Sequence, residues 1–202
     1  MVLNKASLSL HTIPIYSQRA AGLRAYLDSE ERFSIMMENY AVFPKVIKKA
    51  QKKTEYKIKA EREYLRSHSR GELGVRVQTS KKSDTTAEEA IANVTLEEAF
   101  ATGEVDKGIL KGIEEASVYE TEIKLISTMR MDFELLEDII ESYEDDDQRI
   151  IRKRLAERKA YRVIAEEEDC SYDTIKRKLT AIRNEIREEI VECLELNNRE
   201  GR

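Results

Sequence analysis

Helix breakers are scarce in this chain. Its 202 residues hold 7 Gly and 2 Pro, and 37% of them are charged. Long charged side chains lose little rotamer freedom in a helix, and without breakers the backbone has few places to turn. The pattern predicts an all-α fold. A hydrophobic fraction of 41% is enough for modest cores, while the charge excess favours elongated helices or small modules over one deep globule. That balance argues against a large single-core enzyme. No stretch approaches the roughly 18 uninterrupted apolar residues of a spanning helix, and no basic start precedes an apolar run. A membrane segment or leader is therefore not expected, and the reading is cytoplasmic. Cys170 and Cys193 stand alone, with no C-x-x-C and no neighbouring His, so neither a disulfide framework nor structural zinc is expected.

The formal net charge of −5 conceals a block structure. Residues 1 to 83 carry 17 basic and 8 acidic side chains, residues 84 to 148 carry 4 and 20, and residues 149 to 202 carry 14 and 12. Two blocks less acidic than the average flank a strongly acidic one, which leaves room for a polyanionic partner despite a pI of about 5.4.

Four regions follow: an N-terminal helical region over 1–70, a linker over 71–84, an acidic helical region over 85–148 and a C-terminal helical module over 149–202. In the first, Arg19 to Tyr40 reads as helix, and Pro44 opens a second helix running from Lys45 to Arg66 without Gly or Pro. Ile47, Ala50, Thr54, Ile58 and Leu65 form its narrow apolar stripe. Lys45, Lys48, Lys49, Lys52, Lys53, Lys57 and Lys59 crowd the rest. Those lysines suit either salt-sensitive phosphate contacts or plain solvation of a bundle helix. Gly71 and Gly74 break the next stretch, which allows a short strand around Val75 to Val77.

Two capping boxes, Thr85 with Glu88 and Thr95 with Glu98, predict two helix starts, and Gly103 ends the second helix. Ile109, Ile113, Ala116, Ile123 and Ile126, then Phe133, Leu136, Ile140 and Tyr143, recur at helical spacing and predict buried helix faces. The consecutive carboxylates Asp145, Asp146 and Asp147 lack the loop pattern of a calcium site and read as a solvated helix end. No phosphate-cradling glycine loop, zinc-protease motif or nucleophile elbow is present, so the chain reads as a non-enzyme with no cofactor and no metal.

The most informative stretch begins at Arg149 and reads as helix, helix, turn, helix. Ile151 and Leu155 line the first helix, and Tyr161, Ile164 and Ala165 the second. Ile175, Leu179, Ile182, Ile186 and Ile190 line the third, at spacings of four, three, four and four. Ser171 is suited to cap the third helix, because its hydroxyl can accept a free backbone N–H two or three residues on. That helix then presents Tyr172, Asp173, Lys176 and Arg177 outward. Ser171, Tyr172, Asp173, Thr174, Lys176, Arg177, Lys178 and Arg183 are the candidate DNA-binding residues. The cations and the helix N-terminus suit phosphates, Lys176, Arg177 and Tyr172 have reach for base edges, and Asp173 can accept from a cytosine amino group.

The wording Ala160-Tyr-Arg-Val-Ile-Ala, a short turn, then Ser171-Tyr-Asp-Thr-Ile-Lys-Arg-Lys-Leu resembles the helix-turn-helix of bacterial sigma factor region four. The resemblance covers about a quarter of the chain. Glu168-Asp169 stands where that family usually has Leu-Gly, and no region that melts promoter DNA is recognisable. Asp tolerates a left-handed backbone, a wider turn would let Glu168 face solvent, and Cys170 can fill the apolar slot after the usual glycine. Together with the phrase Ser83-Asp-Thr-Thr-Ala87 ahead of a helix, the chain is similar to phage and prophage late-gene regulators of the ArpU and RinA type.

That resemblance implies a sigma-like transcription activator in a bacterial host, with double-stranded promoter DNA and host RNA polymerase as partners. Its Ile-rich last helix offers a homodimer surface, although the same stripe is adequate as the module's own core. Two rivals remain at this level: a small terminase-like DNA-packaging subunit, and a helical protein that binds polymerase or sigma and never touches DNA.

Overall fold

A computed structural model describes residues 29–68, 85–106 and 108–200. Seven α-helices and no strand occur among the described residues: α1 (Ser29–Asn39), α2 (Phe43–His68), α3 (Thr85–Thr102), α4 (Ala116–Glu141), α5 (Asp145–Leu155), α6 (Tyr161–Glu167) and α7 (Tyr172–Glu200). The chain is all-α, as its shortage of breakers requires. None of the described helices is long and apolar enough to cross a membrane. The predicted helical turns over 19–28, the linker and the strand around Val75 lie outside the described residues.

The described residues divide into two units, one built from residues 29–46 together with those from Arg130 onward, the other from Ile47 to Met129. In the second unit, α2 buries Ile47, Ala50, Thr54 and Ile58 of the stripe its spacing predicts, whereas Leu65 at the far end is exposed. α4 contributes Tyr119, Ile123, Ile126 and Met129, and α3 contributes Leu96, Ala99 and Phe100. Polar ties lock α2 to α4 and to the turns before it. The Thr54 hydroxyl donates to Glu122 Oε2 at 2.8 Å, the Tyr119 hydroxyl donates to Glu61, and Arg62 Nε donates to the Ile109 carbonyl at 3.1 Å.

Two local expectations fail in this unit. Thr95 does not start a helix: α3 runs unbroken from Thr85 to Thr102, and the Thr95 hydroxyl donates back to the Ile91 carbonyl at 2.7 Å. A hydroxyl that bonds one turn back is satisfied inside the helix and has no free N–H to cap. Ile109 and Ile113 are buried as predicted, yet they lie in turns between α3 and α4 and not on a helix. Gly103 does end α3, at φ +80°, where a Cβ would sit 3.3 Å from Ser127. Only glycine fits that close approach without strain.

In the first unit, Phe33 and Met36 of α1 are fully buried. The rings of Tyr40 and Phe43 meet Phe133 of α4 with centroids 5.4 and 5.5 Å away. Arg32 lies buried beside them and donates through Nε to Asp132 Oδ2 at 2.9 Å, with a second bond from Nη2 to Oδ1. α1 also packs on α7, where Arg187 Nε donates to Glu30 Oε2 at 2.6 Å. Along α7, Ile175, Leu179, Ile182, Ile186, Ile190 and Leu194 are all buried. The stripe read from the sequence is therefore core, which holds α7 against α1 and α6.

Candidate nucleic-acid interface

The first turn of α5 carries Asp145, Asp146 and Asp147, and its last turn carries Arg152, Lys153 and Arg154. Each end thus complements the helix dipole. α5 buries Ile150 and Ile151, α6 buries Ile164 and Ala165, and small Ala165 permits the close approach of α7. Leu155 and Tyr161 are half-buried. The Arg154 guanidinium lies 4.7 Å from the centroid of the Tyr161 ring, a cation–π contact that ties the end of α5 to the start of α6.

The turn between α6 and α7 is closed by backbone geometry. Asp169 adopts φ +49°, and the Cys170 N–H donates to the Ala165 carbonyl at 3.0 Å. This is the helix-ending arrangement normally built on glycine, with Asp tolerating the left-handed position as its short polar side chain allows. Cys170 is half-buried beside it. Ser171 then caps α7: its hydroxyl accepts the Thr174 N–H at 3.1 Å and lies 2.8 Å from the Thr174 hydroxyl.

Glu168 does not face solvent. Its carboxylate accepts from Arg149 Nη2 at 2.8 Å and from Lys153 Nζ at 2.6 Å, and its side chain is 12% exposed. The Arg149 guanidinium, then the Lys153 ammonium, hold this carboxyl down to about 2. Glu167 bridges Lys153 and Lys159 at 2.8 and 2.7 Å. A position that is apolar in the resembled family is thus filled by a charge with two cationic partners, the condition under which burial of a carboxylate is tolerated.

The predicted recognition residues separate into two groups. Ser171, Tyr172, Asp173, Thr174, Lys176, Arg177 and Arg183 are exposed, and Tyr172, 46% exposed, meets the edge of Tyr161 at 6.3 Å. Lys176, Arg177 and Arg183 have no ion-pair or hydrogen-bond partner for their side chains among the described residues. Arg183 lines a groove together with Arg154, Arg158 and Tyr161. Lys178 differs: it is half-buried and ion-paired to Asp147 on α5. Its charge is held by the start of α5.

Arg162 was not singled out by sequence reasoning. It is an exposed cation on α6 with no side-chain partner among the described residues, and its place beside the Tyr-Arg-Val-Ile-Ala wording was the available signal. The Arg149, Lys153 and Glu168 cluster was missed as well. Its members come from α5 and from the residue that ends α6, and no local spacing links them.

Chemically, the arrangement offers an exposed helix start, a phenol, one carboxylate and unneutralised cations on a rigid helix. These are groups that can meet phosphate oxygens and base edges. No known protein family, curated protein or solved structure matches the chain.

Proposed function

We propose that the chain is a phage-type or prophage-type, sigma-like transcription activator. In this reading the start of α7 enters the major groove of promoter DNA, and the bound protein recruits host RNA polymerase to late genes. One observation carries the DNA-binding step. Arg149, Lys153, Lys159 and Lys178 are neutralised by carboxylates of α5, α6 and the turn that follows it, whereas Lys176, Arg177 and Arg183 on α7 are left exposed and unpaired among the described residues. An exposed cation on a packed helix meets phosphate with little internal pairing to give up, and each well-formed bidentate contact to a base discriminates by about 1–3 kcal/mol. The transcriptional step is supported by the resemblance of the α6–turn–α7 wording to sigma region four.

Footprinting on the DNA around the protein's own gene, with and without host RNA polymerase, tests both steps. The expected result is protection by the protein alone that extends when polymerase is added. The Lys176→Ala, Arg177→Ala double variant should lose the protection while keeping its helical content. A footprint retained by that variant would overturn the assignment of α7.

A further inference from the structure

We infer that α2 carries a second, sequence-independent contact surface for a nucleic-acid backbone, formed by Lys48, Lys49, Lys52 and Lys53 with Tyr56 beside them. All four lysines are exposed, and Tyr56 is 75% exposed. At 100° per residue, Lys48, Lys49, Lys52 and Lys53 lie on the helix face opposite Ile47, Ala50, Thr54 and Ile58, and Tyr56 falls on the same face as Lys52. From Lys48 to Lys53 the surface spans about 7.5 Å of helix axis.

The pairing pattern on α2 separates these lysines from the cations that follow them on the helix. Lys59 is bonded to Glu55 at 2.6 Å, and Lys57 lies 3.9 Å from Glu122. Arg62 is spent on the Ile109 carbonyl. Lys48, Lys49, Lys52 and Lys53 have no carboxylate partner among the described residues. Four like charges within two turns repel one another, a cost that a polyanion relieves.

An anionic membrane is the other polyanionic surface to weigh. A helix that lies on a bilayer inserts an apolar face beside its basic one. On α2 that face is already buried within its own unit, and the exposed side offers lysines and a phenol. The chemistry therefore favours a nucleic-acid backbone, to which lysines donate as point charges and a tyrosine hydroxyl can donate as well. This inference extends the DNA-binding reading to a second surface and rests on it for the choice of polyanion.

The test is a salt titration of the full chain against a duplex DNA of arbitrary sequence, read by fluorescence anisotropy. Four phosphate contacts contribute about 3 to 4 to the slope of log Kobs against log salt. Replacing Lys48, Lys49, Lys52 and Lys53 together by Gln should lower that slope by about 3 and weaken binding at low salt. Helical content should be unchanged, because Gln is as good a helix former as Lys at exposed sites. The Lys176→Ala, Arg177→Ala variant is titrated alongside and footprinted.

A quadruple variant that keeps the wild-type slope overturns the α2 surface and leaves the α7 assignment standing. A slope lost in the quadruple variant, with a footprint that survives in the α7 variant, does the reverse. Binding to phosphatidylserine vesicles that depends on the four lysines, with no such dependence for duplex DNA, also overturns the inference.

Discussion

Lys178 on α7 is ion-paired to Asp147 in the first turn of α5, while Lys176 and Arg177 immediately before it carry no such partner among the described residues. Three consecutive cations therefore divide between two tasks. Because Asp147 Oδ1 is shielded from water, removing its cation leaves a poorly solvated carboxylate. Lys178→Met should cost about 1 to 2 kcal/mol of stability, more than an exposed pair is worth. Its DNA footprint should persist. The Lys176→Ala, Arg177→Ala variant should show the opposite profile, with an unchanged denaturation midpoint and no footprint. If Lys178→Met loses the footprint at full stability, Lys178 belongs to the DNA face instead.

Arg32 and Asp132, 100 residues apart in sequence, form a buried bidentate pair. Cutting one partner leaves an uncompensated charge in the core, so Arg32→Met and Asp132→Leu should each cost about 3–5 kcal/mol in urea unfolding. The double change should cost far less than the two single changes combined, because both charges then leave together. Additive losses would show that the residues act through separate contacts.

Glu168 ties acid sensitivity to the α5–α6 junction. The Arg149 guanidinium and the Lys153 ammonium hold its carboxyl down to about 2 in the folded chain, against about 4.5 for an ordinary glutamate. A depressed folded value contributes stability that is fully present above about 4.5 and is lost as the pH falls toward 2. Unfolding midpoints measured from pH 7 down to pH 2 should fall in that window. Glu168→Gln should start from a lower midpoint at neutral pH and fall less steeply on acidification. Parallel curves for the two proteins would assign the acid sensitivity to other carboxylates.

Much of the C-terminal module was legible because its determinants are local. The four-three-four-four spacing of Ile175, Leu179, Ile182, Ile186 and Ile190 is the period of one helix face, and all five are buried. Asp169 could be read as left-handed, and Ser171 as a cap, from residue chemistry alone. Thr95 with Glu98 misled because the capping-box pattern also arises within a helix, where the threonine hydroxyl bonds back to Ile91. Ile109 and Ile113 show that burial imposes a spacing without imposing a helix. The capture of Lys178 by Asp147, and of Glu168 by Arg149 and Lys153, joins residues of different elements. No periodicity within one segment encodes those pairings, so the division of cations into paired and unpaired emerged only from the fold.

Ser171 joins stability to recognition in a way that two substitutions separate. Its hydroxyl accepts the Thr174 N–H at 3.1 Å, and the turn it fixes carries Tyr172, Asp173 and Thr174. Ser171→Ala should cost about 1 kcal/mol and fray that turn. Ser171→Asp keeps a capping oxygen and adds favourable charge at the helix start, so stability should stay near wild type. The same carboxylate would meet phosphate at close range, and duplex affinity should fall even though the fold holds. Denaturation midpoints and duplex binding, measured on both variants, check the pair. Undiminished affinity in Ser171→Asp would place the DNA backbone away from the start of α7.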